Sequence, residues 1–155
     1  MVDAWLEDTG LDRIDRYHVI ARSAFGDMYL WGENSGRTLD ILPTYSMLFP
    51  TPPDDDGLSD LDIQVLISSM TKDKLDFTDE NDKKLFKKVL KKLGRLSPDE
   101  MYGFEPALAL GGTAKLENLA KVKAVEHLII LSQLGEKVIR ENEAIKLLRE
   151  GKIKP

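Results

Sequence analysis

The chain contains no cysteine, which excludes disulfides, thiol nucleophiles and every zinc site built on thiolates. It has no run of about 18 apolar residues, so nothing in it reads as a membrane span. Lysine is missing from the first 71 residues, where thirteen acids meet only four arginines. At the N-terminus Asp3, Glu7 and Asp8 stand where a secretory signal would carry lysine or arginine. A cytoplasmic location is therefore expected. Histidine occurs only as His18 and His127, too far apart for a His-x3-His or His-Glu-x-x-His metal motif.

What is present suits one domain spanning residues 1–155. Its 155 residues are 42% apolar, enough to bury roughly two-thirds of the unfolded surface without a metal or disulfide. The net charge of −5 argues against wholesale nucleic-acid binding, but it hides a split. Residues 1–71 carry −9 and residues 72–155 carry +4. The acidic extreme is Asp54, Asp55, Asp56, Asp60 and Asp62, just after Pro50-Thr51-Pro52-Pro53. The basic extreme is Lys83, Lys84, Lys87, Lys88, Lys91, Lys92 and Arg95. Such asymmetry bears on partners more than on fold.

Hydrophobic periodicity gives an α+β expectation. Residues 2–9 suggest a short helical turn. Tyr17–Arg22, Met28–Trp31 and Thr38–Leu42 read as strands, with a turn at Gly26-Asp27 and a hairpin loop over Gly32–Gly36. Tyr45–Phe49, bracketed by Pro43 and Pro50, reads as a fourth strand. Then the period lengthens. Ser59 is placed to cap a helix reaching Met70, with Leu61, Val65, Leu66 and Met70 on one face. Thr78 and its following acids predict a helix that ends at Gly94, with lysines in its last turns. Ser97-Pro98-Asp99-Glu100 predicts one more helical turn, and Tyr102–Leu110 an extended segment joining the sheet. Helices are expected over Leu116–Leu134, with a break near Lys121–Lys123, and over Val138–Arg149. The expected fold is an antiparallel sheet of four to five strands, the N-terminal meander plus one later strand, covered by several helices.

No pattern of catalytic residues emerges. The Asp-rich loop fails as an EF-hand: counting back from Gly57, its first ligand position falls on Pro52, and no Glu stands at the twelfth. Gly-x-Ser-x-Gly and Gly-x-Gly-x-x-Gly are both absent. Gly111-Gly112-Thr113-Ala114-Lys115 lacks phosphate-loop spacing, although a turn at a helix start leaves a small-ligand or nucleotide site open as one alternative. The Lys83–Arg95 helix leaves a nucleic-acid-binding module open as another, without interleaved aromatics to support it. No metal, cofactor or catalytic residue is expected, and no enzyme.

Two stretches are more distinctive. One runs Tyr17-His18-Val19-Ile20-Ala21-Arg22-Ser23-Ala24-Phe25-Gly26-Asp27-Met28-Tyr29-Leu30-Trp31-Gly32-Glu33. The other runs from Asp99 through Tyr102-Gly103-Phe104-Glu105-Pro106 to Gly111-Gly112, followed by Leu116-Glu117-Asn118-Leu119 and Glu126-His127-Leu128. Together they resemble the immunity proteins that protect bacteria from a DNase effector of the type VI secretion system. The resemblance covers about residues 4–135. In that family a GAD-like domain precedes the C-terminal domain that carries these signatures. The chain is expected to lack it, with residues 1–15 as its tail.

The resemblance implies a non-enzymatic inhibitor whose partner is a cognate DNase toxin, held by stoichiometric occlusion. A nuclease grips phosphate with basic residues, so an acidic surface suits it. The expected contacts are Asp54, Asp55, Asp56, Asp60 and Asp62, then Glu33 and Asp40, with Trp31 and Tyr45 as candidate aromatic anchors. Gly26, Gly103, Gly111 and Gly112 read as turn residues.

Overall fold

Alternation of buried and more exposed residues between positions 28 and 50 builds the middle of the main sheet. A computed structural model describes residues 1–51 and 60–154, with residues 60–62 as backbone. After a short helix α1 (Val2–Leu6) come strands β1 (Tyr17–Arg22), β2 (Met28–Gly32), β3 (Thr38–Leu42) and β4 (Met47–Pro50). Met28, Leu30, Leu39, Ile41 and Leu48 are fully buried on one face. Their neighbours Tyr29, Trp31, Thr38, Asp40 and Phe49 therefore fall on the other face, as the two-residue period of a strand requires. The antiparallel register sets Tyr29 beside Asp40 and Asp40 beside Phe49. Buried Asp15 pins the β2–β3 loop, accepting from the backbone N–H groups of Asn34 (3.1 Å) and Ser35 (2.8 Å).

Next come helices α2 (Asp60–Ser69) and α3 (Phe86–Leu93), strands β5 (Glu100–Phe104) and β6 (Leu119–Lys123), helix α4 (Ala124–Leu134), strand β7 (Val138–Ile139) and helix α5 (Glu143–Arg149). The main sheet has the order β1-β2-β3-β4-β7. Its later strand is β7, which runs parallel to β4, and not the Tyr102–Leu110 segment. That segment contributes β5, which pairs with β6 in a separate two-stranded sheet. The α+β class holds, with a different strand completing the sheet.

Four helix expectations give way to local chemistry. The lysine helix starts at Phe86 instead of Thr78, because Asp79 accepts from the N–H groups of Asn81 and Lys83 (both 2.9 Å) and bends the chain into a turn. Such side-chain bonds offer the backbone an alternative to helix. Asp76, accepting from Phe86 N–H at 2.7 Å, supplies the cap. At Ser97, half a capping box forms, with Glu100 accepting from the Ser97 N–H at 2.8 Å, but the chain enters β5 directly. The break foreseen near Lys121–Lys123 is the strand β6, where exposed lysines alternate with half-buried Ala120 and Val122. Val138–Arg149 likewise divides, since Asn142 caps a shorter α5 by accepting from Ile145 N–H at 2.9 Å.

Two apolar clusters hold these parts together. The larger lies under the sheet and joins Trp5, Leu11, Leu30 and Ile41 to Met101, Leu128, Leu131 and Ile145. Trp5 donates its indole N–H to the Leu128 carbonyl at 3.0 Å, and Lys137 reaches the Ala4 carbonyl at 2.7 Å. The smaller cluster packs α3 on β5 and β6 through Phe25, Phe77, Leu85, Val89, Tyr102 and Phe104. Phe77 lies 5.6 Å from Phe25 and 5.0 Å from Phe104, centroid to centroid. A backbone bond from Tyr102 N–H to the Ala24 carbonyl (2.8 Å) ties the second sheet to the first.

Candidate partner-binding surface

The contact residues expected from sequence fall in several separate places. Asp54, Asp55 and Asp56 lie outside the described residues, while Asp60 and Asp62 sit in the first turn of α2. Trp31 and Asp40 share the outer sheet face. Glu33, just past β2, is half-exposed but already engaged, 2.9 Å from His18 Nε2 and 3.8 Å from Arg16. Trp31 is half-buried between its strand neighbours His18 and Thr38, and its indole N–H has no hydrogen-bond partner among the described residues. Tyr45 stands apart at the β3–β4 turn, half-exposed, with one face stacked on Phe77 at 5.8 Å.

Asp40 is the electrostatically unusual member. The C-terminal end of α2 and the residues after it meet the outer sheet face at a cleft of about 170 Å³, lined by Tyr29, Thr38, Asp40, Leu66, Met70 and Lys74. Burial there pushes the Asp40 carboxyl up to about 6, with the nearby Asp27 carboxylate adding to the shift. Asp27 is itself raised by burial, against a hydrogen bond from the Ser23 hydroxyl at 3.1 Å. Tyr29 is pushed up to about 12 by burial and by both acids. Asp40 is therefore part of a half-buried acidic pair, a poor source of exposed negative charge. A larger cleft of about 500 Å³ lies between residues 7–9 and 135–141. Its cations are committed, Lys137 to the Ala4 and Glu7 carbonyls and Arg149 to Glu141 at 2.7 Å.

The two competing sites from sequence take structural roles. Gly111-Gly112 leads into a 3-10 turn (Leu116–Asn118) and β6, so no α-helix N-terminus follows to receive a phosphate. A Cβ on Gly112 would lie 2.0 Å from the Pro106 carbonyl oxygen, which accounts for glycine there by close approach. Gly103 is a strand residue and not a turn residue. Its missing Cβ makes room for half-buried His127, whose Nε2 would lie 2.8 Å away, and burial lowers the basicity of that imidazole. Around α3, several lysines are engaged locally. Lys84 pairs with Asp73, Lys88 with Asp79 at 3.8 Å, and Lys92 donates to the Leu116 carbonyl at 3.0 Å.

Sequence reasoning missed the exposed apolar residues of α2. Val65 is 60% and Ile67 47% exposed, and Phe49 on the outer sheet face is 38% exposed. The signal was present, because apolar residues occupy more than one side of this ten-residue helix. Among the described residues no helix is long and apolar enough to cross a membrane, and no cluster of His, Asp and Glu could hold a metal ion.

Comparison with known proteins gives this chain two family-model matches. The model of the T6SS immunity protein Tdi1, C-terminal, matches residues 60–135, from α2 through α4. The GAD-like domain model matches residues 1–44, from α1 through β3, well beyond the residues 1–15 expected from sequence. No curated protein matches significantly. Among solved structures, the crystal structure of Atu4351 from Agrobacterium tumefaciens superposes with a TM-score of 0.76 at 22% identity. The alignment covers 92% of this chain and 67% of that one, so the two share a fold. The immunity resemblance and the family matches agree: residues 60–135 match the C-terminal model of the T6SS immunity protein Tdi1, and residues 1–44 match the GAD-like domain model.

Proposed function

We propose that this chain is a cytoplasmic immunity protein that binds a cognate type VI secretion DNase effector one-to-one and covers its nucleic-acid-binding surface. The observation that carries the reading is the Tdi1-type match over residues 60–135. The charge distribution supports it. Residues 38–71 hold six acids and no lysine or arginine, so this part of the chain offers a basic surface nothing to repel it. Steering of that kind raises the association rate and weakens with salt. Inhibition by coverage needs no turnover, so the role places no demand on catalytic residues.

The experiment is titration of the chain into a DNase assay with the effector encoded beside its gene. We expect plasmid cleavage to fall linearly and to stop at one equivalent, and co-expression to restore growth. Cleavage that continues at several equivalents, with no complex on size-exclusion chromatography, overturns the proposal.

A further inference from the structure

Helix α2 leaves apolar side chains in water, as α4 does with Val125 and Ile130, but α2 lies in a stretch without lysine or arginine. A surface helix buries its apolar stripe and presents polar residues outward. Helix α2 lends Leu66 and Met70 to the cleft over the sheet, yet also exposes Val65 and Ile67, two β-branched apolar side chains. Phe49 is exposed on the outer sheet face, and its strand partner Asp40 lines the cleft that the end of α2 shares with that face. All three residues belong to the stretch 38–71, which bears acids alone. Apolar anchors inside a region charged with one sign make up a protein-docking surface: the anchors supply affinity and the charge supplies steering.

We infer that α2 and the outer sheet face beside it dock the basic, DNA-gripping face of the effector, with Val65, Ile67 and Phe49 as apolar anchors. The inference rests on the proposed function and adds the surface and its energetics. A symmetric contact between two copies is the weaker fit, because it would set one acid-only stretch against another. Among the described residues Lys74 is the one cation lining the cleft, and it lies beyond the C-terminal end of α2, which itself carries no lysine or arginine.

The test uses the full chain and a catalytically inactivated copy of the adjacent-gene effector, with affinity measured by calorimetry. Val65→Ser with Ile67→Ser should weaken binding about tenfold to a hundredfold with an unchanged salt slope. Asp60→Asn with Asp62→Asn should flatten the salt dependence of association. Lys87→Glu with Lys91→Glu, on the exposed side of α3, should change neither. Thermal melts establish that each variant folds, and Phe49→Ser provides a second anchor variant outside the helix. Unchanged affinity in both anchor variants overturns the inference while leaving the immunity role intact. Failure of the wild-type chain to bind the effector overturns the role itself. A concentration-dependent dimer that the Val65/Ile67 variant abolishes would assign the surface to a second copy and also overturn the inference.

Discussion

Helices α2 and α3 have similar lengths and opposite fates. Helix α3 is finished within the chain. Leu85 at its cap and Val89 inside it are fully buried, and neighbouring lysines find Asp73, Asp79 and the Leu116 carbonyl. Helix α2 is unfinished. It leaves Val65 and Ile67 in solvent and carries no base to offset Asp60 and Asp62. The sequence draws the eye to the seven-base stretch, yet charge that is solvated or locally paired says little about partners. Exposed apolar surface says more, because water penalises it until something covers it.

The largest contrast should appear in stability. Leu85→Ala removes a fully buried side chain beside Phe77 and Val89 in the smaller core, so we expect a loss of about 2–5 kcal/mol in urea denaturation. A loss under 1 kcal/mol would mean that α3 is not anchored in that core.

Next in size is a pH effect beneath α2. The Asp40 carboxyl is raised in the folded chain to about 6 from an ordinary 3.8, so the folded state binds its proton more tightly than the unfolded state does. Its stabilising contribution is complete below about pH 4 and disappears as the pH rises through 6. Asp27, also raised, acts in the same direction. Asp40→Asn fixes the neutral form. We expect it to raise stability at pH 8 by roughly 2 kcal/mol and to do nothing at pH 3.5. A variant less stable than the parent at pH 8 would show that ionised Asp40 is held by a favourable partner, with Lys74 the first suspect.

The exposed side of α2 should respond differently. Val65→Ala deletes methyl groups that already face water, so unfolding stability should stay within about 0.5 kcal/mol of the parent. Paired with the binding loss expected for the Val65/Ile67 variant, this separates a docking surface from a core. A loss comparable with Leu85→Ala would mean that α2 packs more deeply than its exposure indicates.

Much of the fold was legible, and its failures share a cause. The meander was readable because β2 and β3 alternate with a period of two, and one face carries Met28, Leu30, Leu39 and Ile41 to full burial. The helix start at Phe86 was hidden because Asp79, Thr78 and Asn81 suit a cap and a tight turn equally well, and the Asp79 turn bonds together with the Asp76–Phe86 bond decide between them. The role of Tyr102–Leu110 depended on a partner, β6, that looked like part of a helix. Pairing across non-adjacent segments leaves little local trace. The GAD-like segment was expected to be absent, yet its match supplies Trp5, Leu30 and Ile41 to the same cluster as Leu128 and Leu131 of the Tdi1-type region. The family matches are two, but the larger core is one. For the surface, charge was legible and exposure was not: Asp40 looked like a rim acid and is half-buried, whereas Val65 looked like core and faces solvent.

The smallest expected effect tests whether the lysine stretch matters at all. Lys84 pairs with Asp73, and both side chains are largely open to water, at 49% and 83% exposure. Lys84 lowers the Asp73 carboxyl through its hydrogen bond and its charge, a shift that in isolation would suggest a useful ion pair. In solvent the same pair is screened, and holding two long side chains together costs entropy. Lys84→Ala should therefore leave the denaturation midpoint unchanged within error at pH 7 and at pH 3, and should leave effector affinity unchanged as well. A stability loss at pH 7 that shrinks as acid protonates Asp73 would show that the α3 region depends on its ions. A loss of effector binding at unchanged stability would move the partner surface from α2 to α3.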